Sequence, residues 1–273
     1  MNFNINKKFM AGSLAAFLTL GAASAYAAPV ERESIAQIAL LQSLAQGYFS
    51  GTITAGELRA LGDTGIGTFD GLNGEMIVLD GTIYQALGDG RVIVTPDDTH
   101  IPYATVTFFD RDVSVNLNKV ENKAAFEKIL NDKVKECGEN SFYMVKLHTV
   151  FPSILYRSEY GTKEPNVTLV EALKDKQTEF TQKDIKGTLV GIYCPNYMSG
   201  LNTPGWHFHF ISDDKKHGGH ILEFSVNDGT VLMDKTDKFT MILPDDKKFQ
   251  NMNLAKDMNE DIKKAERNTK GKL

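Results

Sequence analysis

The stretch "GWHFHFISDDKKHGGHILEF", residues 205–224, holds four of the chain's six histidines. Side chains on a strand point to opposite faces in turn. His207 and His209 therefore share one face, while Trp206, Phe208 and Phe210 make an apolar core face on the other. "SDDKKHGG" is polar and ends in two glycines, which reads as the turn of a hairpin, and the return strand begins at His220. With His220 opposite His209, the two Cβ atoms lie roughly 4.5–5.5 Å apart, and His207 is within reach on the same face. Three imidazoles then converge, as the three protein ligands of a zinc-type catalytic site do, leaving a position open for substrate or water. The same pattern also suits a strand with polar histidines and no metal, and these residues alone leave both readings open. His217 lies in the turn beside Lys215 and Lys216 and is expected in solvent. His100 and His148 have no partners nearby in sequence.

Outward from the hairpin, β-like runs dominate. "GIGTFDGLNGEMIVLDGTIYQALGDGRVIVTPDD" alternates short apolar runs with Asn-Gly and Asp-Gly pairs, the mark of tight strand connections. "YATVTFF", "SVNLNK", "SFYMVKLHTVF", "KGTLVGIYC", "TVLMDK" and "KFTMILP" continue the strands. Helices are expected at "SIAQIALLQSLAQGYFSG", with Ser34 as cap and Gly47 near its end, then within "TITAGELRALGD", "NKAAFEKILNDKVKE" and "TLVEALKDKQTEF", and in the charged tail through Arg267. Helices scattered among more numerous strands predict an α+β fold with mainly antiparallel or mixed β-sheets, in two β-rich subdomains. The polar connection "EYGTKEPN" suggests a division near residue 160, giving an N-terminal α+β subdomain at 28–160 and a C-terminal part at 161–273 that carries the metal-binding β-hairpin.

Residues 1–27 read as a cleavable signal peptide. Lys7 and Lys8 precede an apolar run too short to span a bilayer, and Ala25-Tyr26-Ala27 is a small-residue cleavage pattern. A secreted or periplasmic location follows. Loss of Lys7 and Lys8 moves the formal charge from -5 to -7, which disfavours nucleic acid and anionic membranes as partners. Export permits a disulfide between Cys137 and Cys194, the two cysteines of the chain, but spacing does not show that they meet. No HExxH helix, GxSxG elbow or Walker-type loop is present. The short motifs thus reach a metal with an open position and name no reaction; a cupin-like metalloenzyme and a secreted zinc-binding module stand beside each other as alternatives.

Longer motifs narrow this. "GTLVGIYCPNYMSGLNTPGWHFHFISDDKKHGGHILEF" resembles the signature region of the α-acetolactate decarboxylases. So does "ALLQSLAQGYFSGTITAGELRALGDTGIGTFDGLNGEMIVLDGTIYQA", with its GTF-x-x-LxGEM core, and "FYMVKLHTVF…YR" and "KDMNEDIKKAE" follow in the same order. The resemblance spans about residue 36 to 267. It implies conversion of 2-acetolactate to acetoin and CO2 through a metal-stabilised enediolate, with Zn2+ held by His207, His209 and His220, and a homodimer. It also implies active-site roles for Glu75, Arg157 and Glu266 and a pocket-lining Thr68. Residue by residue these four look ordinary: a turn-adjacent acid, a solvated arginine, an acid on a charged helix and a strand threonine. Arg157 is the candidate to hold the substrate carboxylate or the developing oxyanion, and Glu266 the candidate proton donor. Cys194 stands where a hydroxyl or small residue is expected, which would put a thiol beside the metal.

Overall fold

The computed structural model describes residues 31–164, 167–174 and 176–267, and the side chains of Glu266 and Arg267 are outside that description. The expected signal peptide lies outside the described residues. In chain order the strands are β1 (Ser34–Ile38), β2 (Ile53–Thr54), β3 (Thr64–Thr68), β4 (Glu75–Leu79), β5 (Thr82–Ala86), β6 (Val92–Val94), β7 (His100–Ile101), β8 (Tyr103–Thr107), β9 (Val113–Val120), β10 (Phe142–Glu159), β11 (Gln177–Cys194), β12 (Gly205–Ser212), β13 (Gly218–Thr236) and β14 (Lys238–Ile242). The helices are α1 (Leu41–Ala45), α2 (Ala55–Arg59), α3 (Lys123–Cys137), α4 (Leu169–Lys174), α5 (Lys247–Gln250) and α6 (Asn259–Arg267). None is long and apolar enough to cross a membrane.

Two sheets carry the α+β architecture. One is seven-stranded and mixed, in the order β14-β1-β8-β3-β4-β5-β6, with β1 and β14 parallel. The other is antiparallel, in the order β10-β11-β12-β13-β9, and β10 also pairs with β13 so that the sheet curls back on itself. A shared apolar cluster joins them, including Ile66 and Ile77 from the first sheet and Val190 and Ile211 from the second. A cut at residue 160 does not separate the sheets: β14 joins the first through β1, and β9 and β10 belong to the second. The described residues form one compact unit. The polar "EYGTKEPN" stretch begins at Glu159, the last residue of β10, and α4 follows it before β11, which pairs with β10 along almost its whole length.

The first expected helix is also corrected. "SIAQI" is strand β1, and only Leu41–Ala45 is helical. Its apolar spacing fits a helix face, but Ile35 and Ile38 are β-branched and fully buried, and pairing with both β8 and β14 satisfies the backbone. Ala39, at φ 54°, breaks the chain direction between strand and helix. Similarly, the helix expected through "TLVEALKDKQTEF" ends at Lys174, and "QTEF" opens the 18-residue strand β11.

The hairpin itself follows the sequence reading. His209 pairs with His220. On the opposite face Phe208 meets Phe126 of α3 edge-on at 5.5 Å, and Trp206 Nε1 donates to Asn131 Oδ1 at 2.8 Å. The two glycines expected to close the turn instead open β13, and the second of them is required. Gly219 has φ 151°, and a Cβ there would lie 2.2 Å from the Arg157 carbonyl oxygen. Only a residue without a side chain lets β13 approach β10 this closely.

Candidate active site

The site lies where the inner faces of the two sheets meet, and cross-strand pairs build it. On the first sheet Thr68 of β3 pairs with Glu75 of β4. On the second, His220 pairs with His209 on one side and with Arg157 of β10 on the other. Opposed residues of a pair point to the same face, so pairing alone aims all five side chains, together with His207, at one cavity. They line it together.

His207, His209 and His220 each offer one ring nitrogen to a cluster whose atoms lie within 4.8 Å of one another. His207 Nε2 is 3.1 Å from His209 Nε2 and 2.9 Å from His220 Nδ1. His209 Nδ1–H donates to the Met76 carbonyl at 2.7 Å, which leaves its Nε2 as a lone pair facing the cluster. Burial, reinforced by the charges of Lys123 and Arg157, lowers His207 to about 3. Burial, then Arg157 and the neighbouring imidazoles, holds His220 well below its usual value. Neutral imidazoles with converging lone pairs are the protonation state a metal needs. Glu75 Oε2 sits 3.3 Å from His209 Nε2. A carboxylate oxygen and a lone pair that close repel unless a proton or cation lies between them. The donor set therefore fits a divalent metal of the zinc type, held by the three histidines with Glu75 beside it.

The predicted companions are partly here. Glu75 is buried rather than a surface acid, and Arg157 is 4% exposed rather than solvated. Arg157 Nη1 donates to Gln177 Oε1 at 3.0 Å, and Nη2 donates to the Ala265 carbonyl at 2.5 Å. Thr68 Oγ1 donates to the Gly74 carbonyl at 2.9 Å and reaches Glu159 Oε1 at 3.4 Å. Ala265 lines the cavity, so the helix expected in the tail forms one wall of the site. Met258, Ile262 and Ala265 bury its apolar face against α1 and α4. Glu266 follows Ala265 in α6, and its side chain lies outside the described residues.

Three expectations change. His217 is half-buried, its Nδ1 3.2 Å from Tyr156 Oη and 3.3 Å from Gln182 Nε2, although it stays out of the histidine cluster as expected. Cys194 is not beside the metal ligands. It lies in the apolar cluster between the sheets, where burial pushes its thiol far up, and both cysteines are free. Residue-level reading also missed Glu159, a buried acid lining the cavity. The signal was present, because Glu159 follows Arg157 by two positions on one strand face. The apolar wall of Leu41, Leu44, Leu169 and Leu173 gave no signal, since such leucines look like any core residue.

Comparison with known proteins gives one consistent family. A sequence model described as alpha-acetolactate decarboxylase matches residues 35–256. The alpha-acetolactate decarboxylase of Methanosarcina mazei is 36% identical over 231 residues, covering 85% of this chain and 79% of that protein. The enzyme of that name from Lactococcus lactis subsp. cremoris is 38% identical over 216 residues, covering 77% and 87%. The crystal structure of alpha-acetolactate decarboxylase from Bacillus subtilis strain 168 superposes with a TM-score of 0.82 at 29% identity, covering 86% of this chain and 100% of that one.

Proposed function

This chain belongs to the alpha-acetolactate decarboxylase family and removes CO2 from acetolactate; from that premise we propose that the reaction runs in the histidine-lined cavity with a zinc ion held by His207, His209 and His220, and yields acetoin. The observation that carries the metal reading is the convergence of three imidazole nitrogens beside a buried carboxylate and a buried guanidinium. A zinc ion bound there supplies a Lewis acid for the substrate's adjacent hydroxyl and ketone oxygens. Arg157 binds the carboxylate that departs as CO2, or the oxygen that gathers negative charge, with a planar and permanently charged fork. Glu75 holds or moves a proton beside His209. The leucines of α1 and α4 keep water from the carbon that loses CO2, so that carbon waits for a proton delivered by the protein. Glu266 is the residue we assign to deliver it.

Two measurements test this. Metal content and acetoin formation from acetolactate, followed before and after chelation, should fall together and return together on adding zinc. Full turnover by the metal-free protein overturns the metal reading, and zinc without turnover favours a binding module. Glu266→Ala should keep zinc and lower kcat about 10²–10⁴-fold, the usual worth of a general acid; turnover within about threefold of the parent removes Glu266 from that role. The same reading carries a homodimer and export directed by residues 1–27, which light scattering and cell fractionation read directly.

A further inference from the structure

The His220 ring stands between two cavities. Its Nδ1 faces the inner one, 2.9 Å from His207 Nε2. The same residue lines an outer groove together with Lys123, Glu127, Asn131 and Glu223. The groove opens where β12 and β13 part, since their pairing runs only from His209↔His220 to Ile211↔Gly218. The first turn of α3 fills the angle: Lys123 N donates to Glu223 Oε1 at 2.5 Å, and Lys123 Nζ donates to the Ile221 carbonyl at 3.3 Å.

An imidazole that offers Nδ1 to a metal carries its proton on Nε2, at the far edge of the ring. Metal-bound histidines nearly always give that proton to a carboxylate, a carbonyl or water, which fixes the ring and raises the basicity of the ligating nitrogen. His209 has such an acceptor in the Met76 carbonyl. For His220 the acceptor has to come from the groove side. Asn131 Oδ1 accepts from Trp206 Nε1. Glu223 Oε1 accepts the backbone N–H groups of Lys123 and Phe224. Glu127 lies one helical turn from Lys123, 3.9 Å from its ammonium, with 33% of its side chain exposed.

We propose that Glu127 accepts the Nε2–H of His220 and holds that ring with Nδ1 toward the metal, as a positioning residue behind the site. This rests on the zinc reading above. It predicts that the metal is lost more readily when the carboxylate is removed, although Glu127 lies on the opposite side of the ring from the ligating nitrogen. Helix position favours the experiment, because Ala and Leu are both good helix formers at such a half-exposed site.

The test is zinc affinity of the full chain, measured by competition with a chromogenic chelator. Glu127→Ala and the similarly sized Glu127→Leu should each weaken zinc binding roughly 10–100-fold, the usual effect of losing such a partner, while Glu127→Gln, which keeps an acceptor oxygen, recovers much of it. Asp132→Ala, on an exposed acid of the same helix, should leave affinity unchanged, and melting of the metal-free protein should be alike in all. Wild-type affinity in Glu127→Ala and Glu127→Leu, or an equal loss in Asp132→Ala, overturns the proposal alone. A wild-type chain that binds no zinc overturns it together with the zinc reading.

Discussion

His209→Ala is expected to remove bound zinc and turnover together. The side chain is 1% exposed and does two things at once. Its Nε2 faces the other two imidazoles, and its Nδ1–H crosses to the opposite sheet to reach the Met76 carbonyl. The substitution takes away one of three ligands and leaves Glu75 facing a void. A Lewis acid contributes several kcal/mol of charge stabilisation, so the fall in kcat/KM should be roughly 10³-fold or more. Loss of the hydrogen bond to the Met76 carbonyl costs about 0.5–1.5 kcal/mol of stability, visible as a lower melting temperature without loss of fold. Metal analysis after gel filtration checks the first part, and stoichiometric zinc retained by the variant would sink the ligand assignment.

Arg157→Lys should keep zinc and lower kcat/KM about 10²–10³-fold, the usual worth of one preorganised donor aimed at developing charge. The charge is preserved, but the geometry is not. The guanidinium reaches Gln177 Oε1 with one terminal nitrogen and the Ala265 carbonyl with the other. An ammonium is a single point with rotatable donors and cannot span both. Its loss would also loosen the link between β10 and α6, so proteolysis near residue 259 should quicken in the variant. Activity within about threefold of wild type would show that the fork geometry is not used.

How far the sequence was readable follows from the range of each signal. The hairpin was legible to the register because alternation and a polar turn are local, and a one-residue slip would have turned His209 away from His220. The same locality gave α3 and the strands between residues 64 and 107. Ser34–Ile38 misled because what makes it a strand is β8 and β14, which lie about 70 and about 200 residues away. Glu75, Arg157 and Ala265 meet only through pairing and packing across the fold, so spacing could not assemble them. The family resemblance named Glu75 and Arg157, and both line the cavity beside the three histidines. Glu127 is the converse case: its helix was legible, but its relation to His220 depends on where two strands separate.

The parallel pairing of β1 with β14, Ser34 opposite Lys238, has a consequence for synthesis. Both neighbours of β1 follow it in sequence, and when β8 is complete β14 has yet to be translated, as have His207, His209, His220 and the α6 wall. A nascent chain that ends before residue 238 leaves one edge of β1 open, a template for pairing with other chains. Contacts this distant in sequence also slow folding. The layout ties completion of the cavity to translation past Ala265, so chains that end before it should accumulate as inactive, aggregation-prone material rather than as partial enzymes.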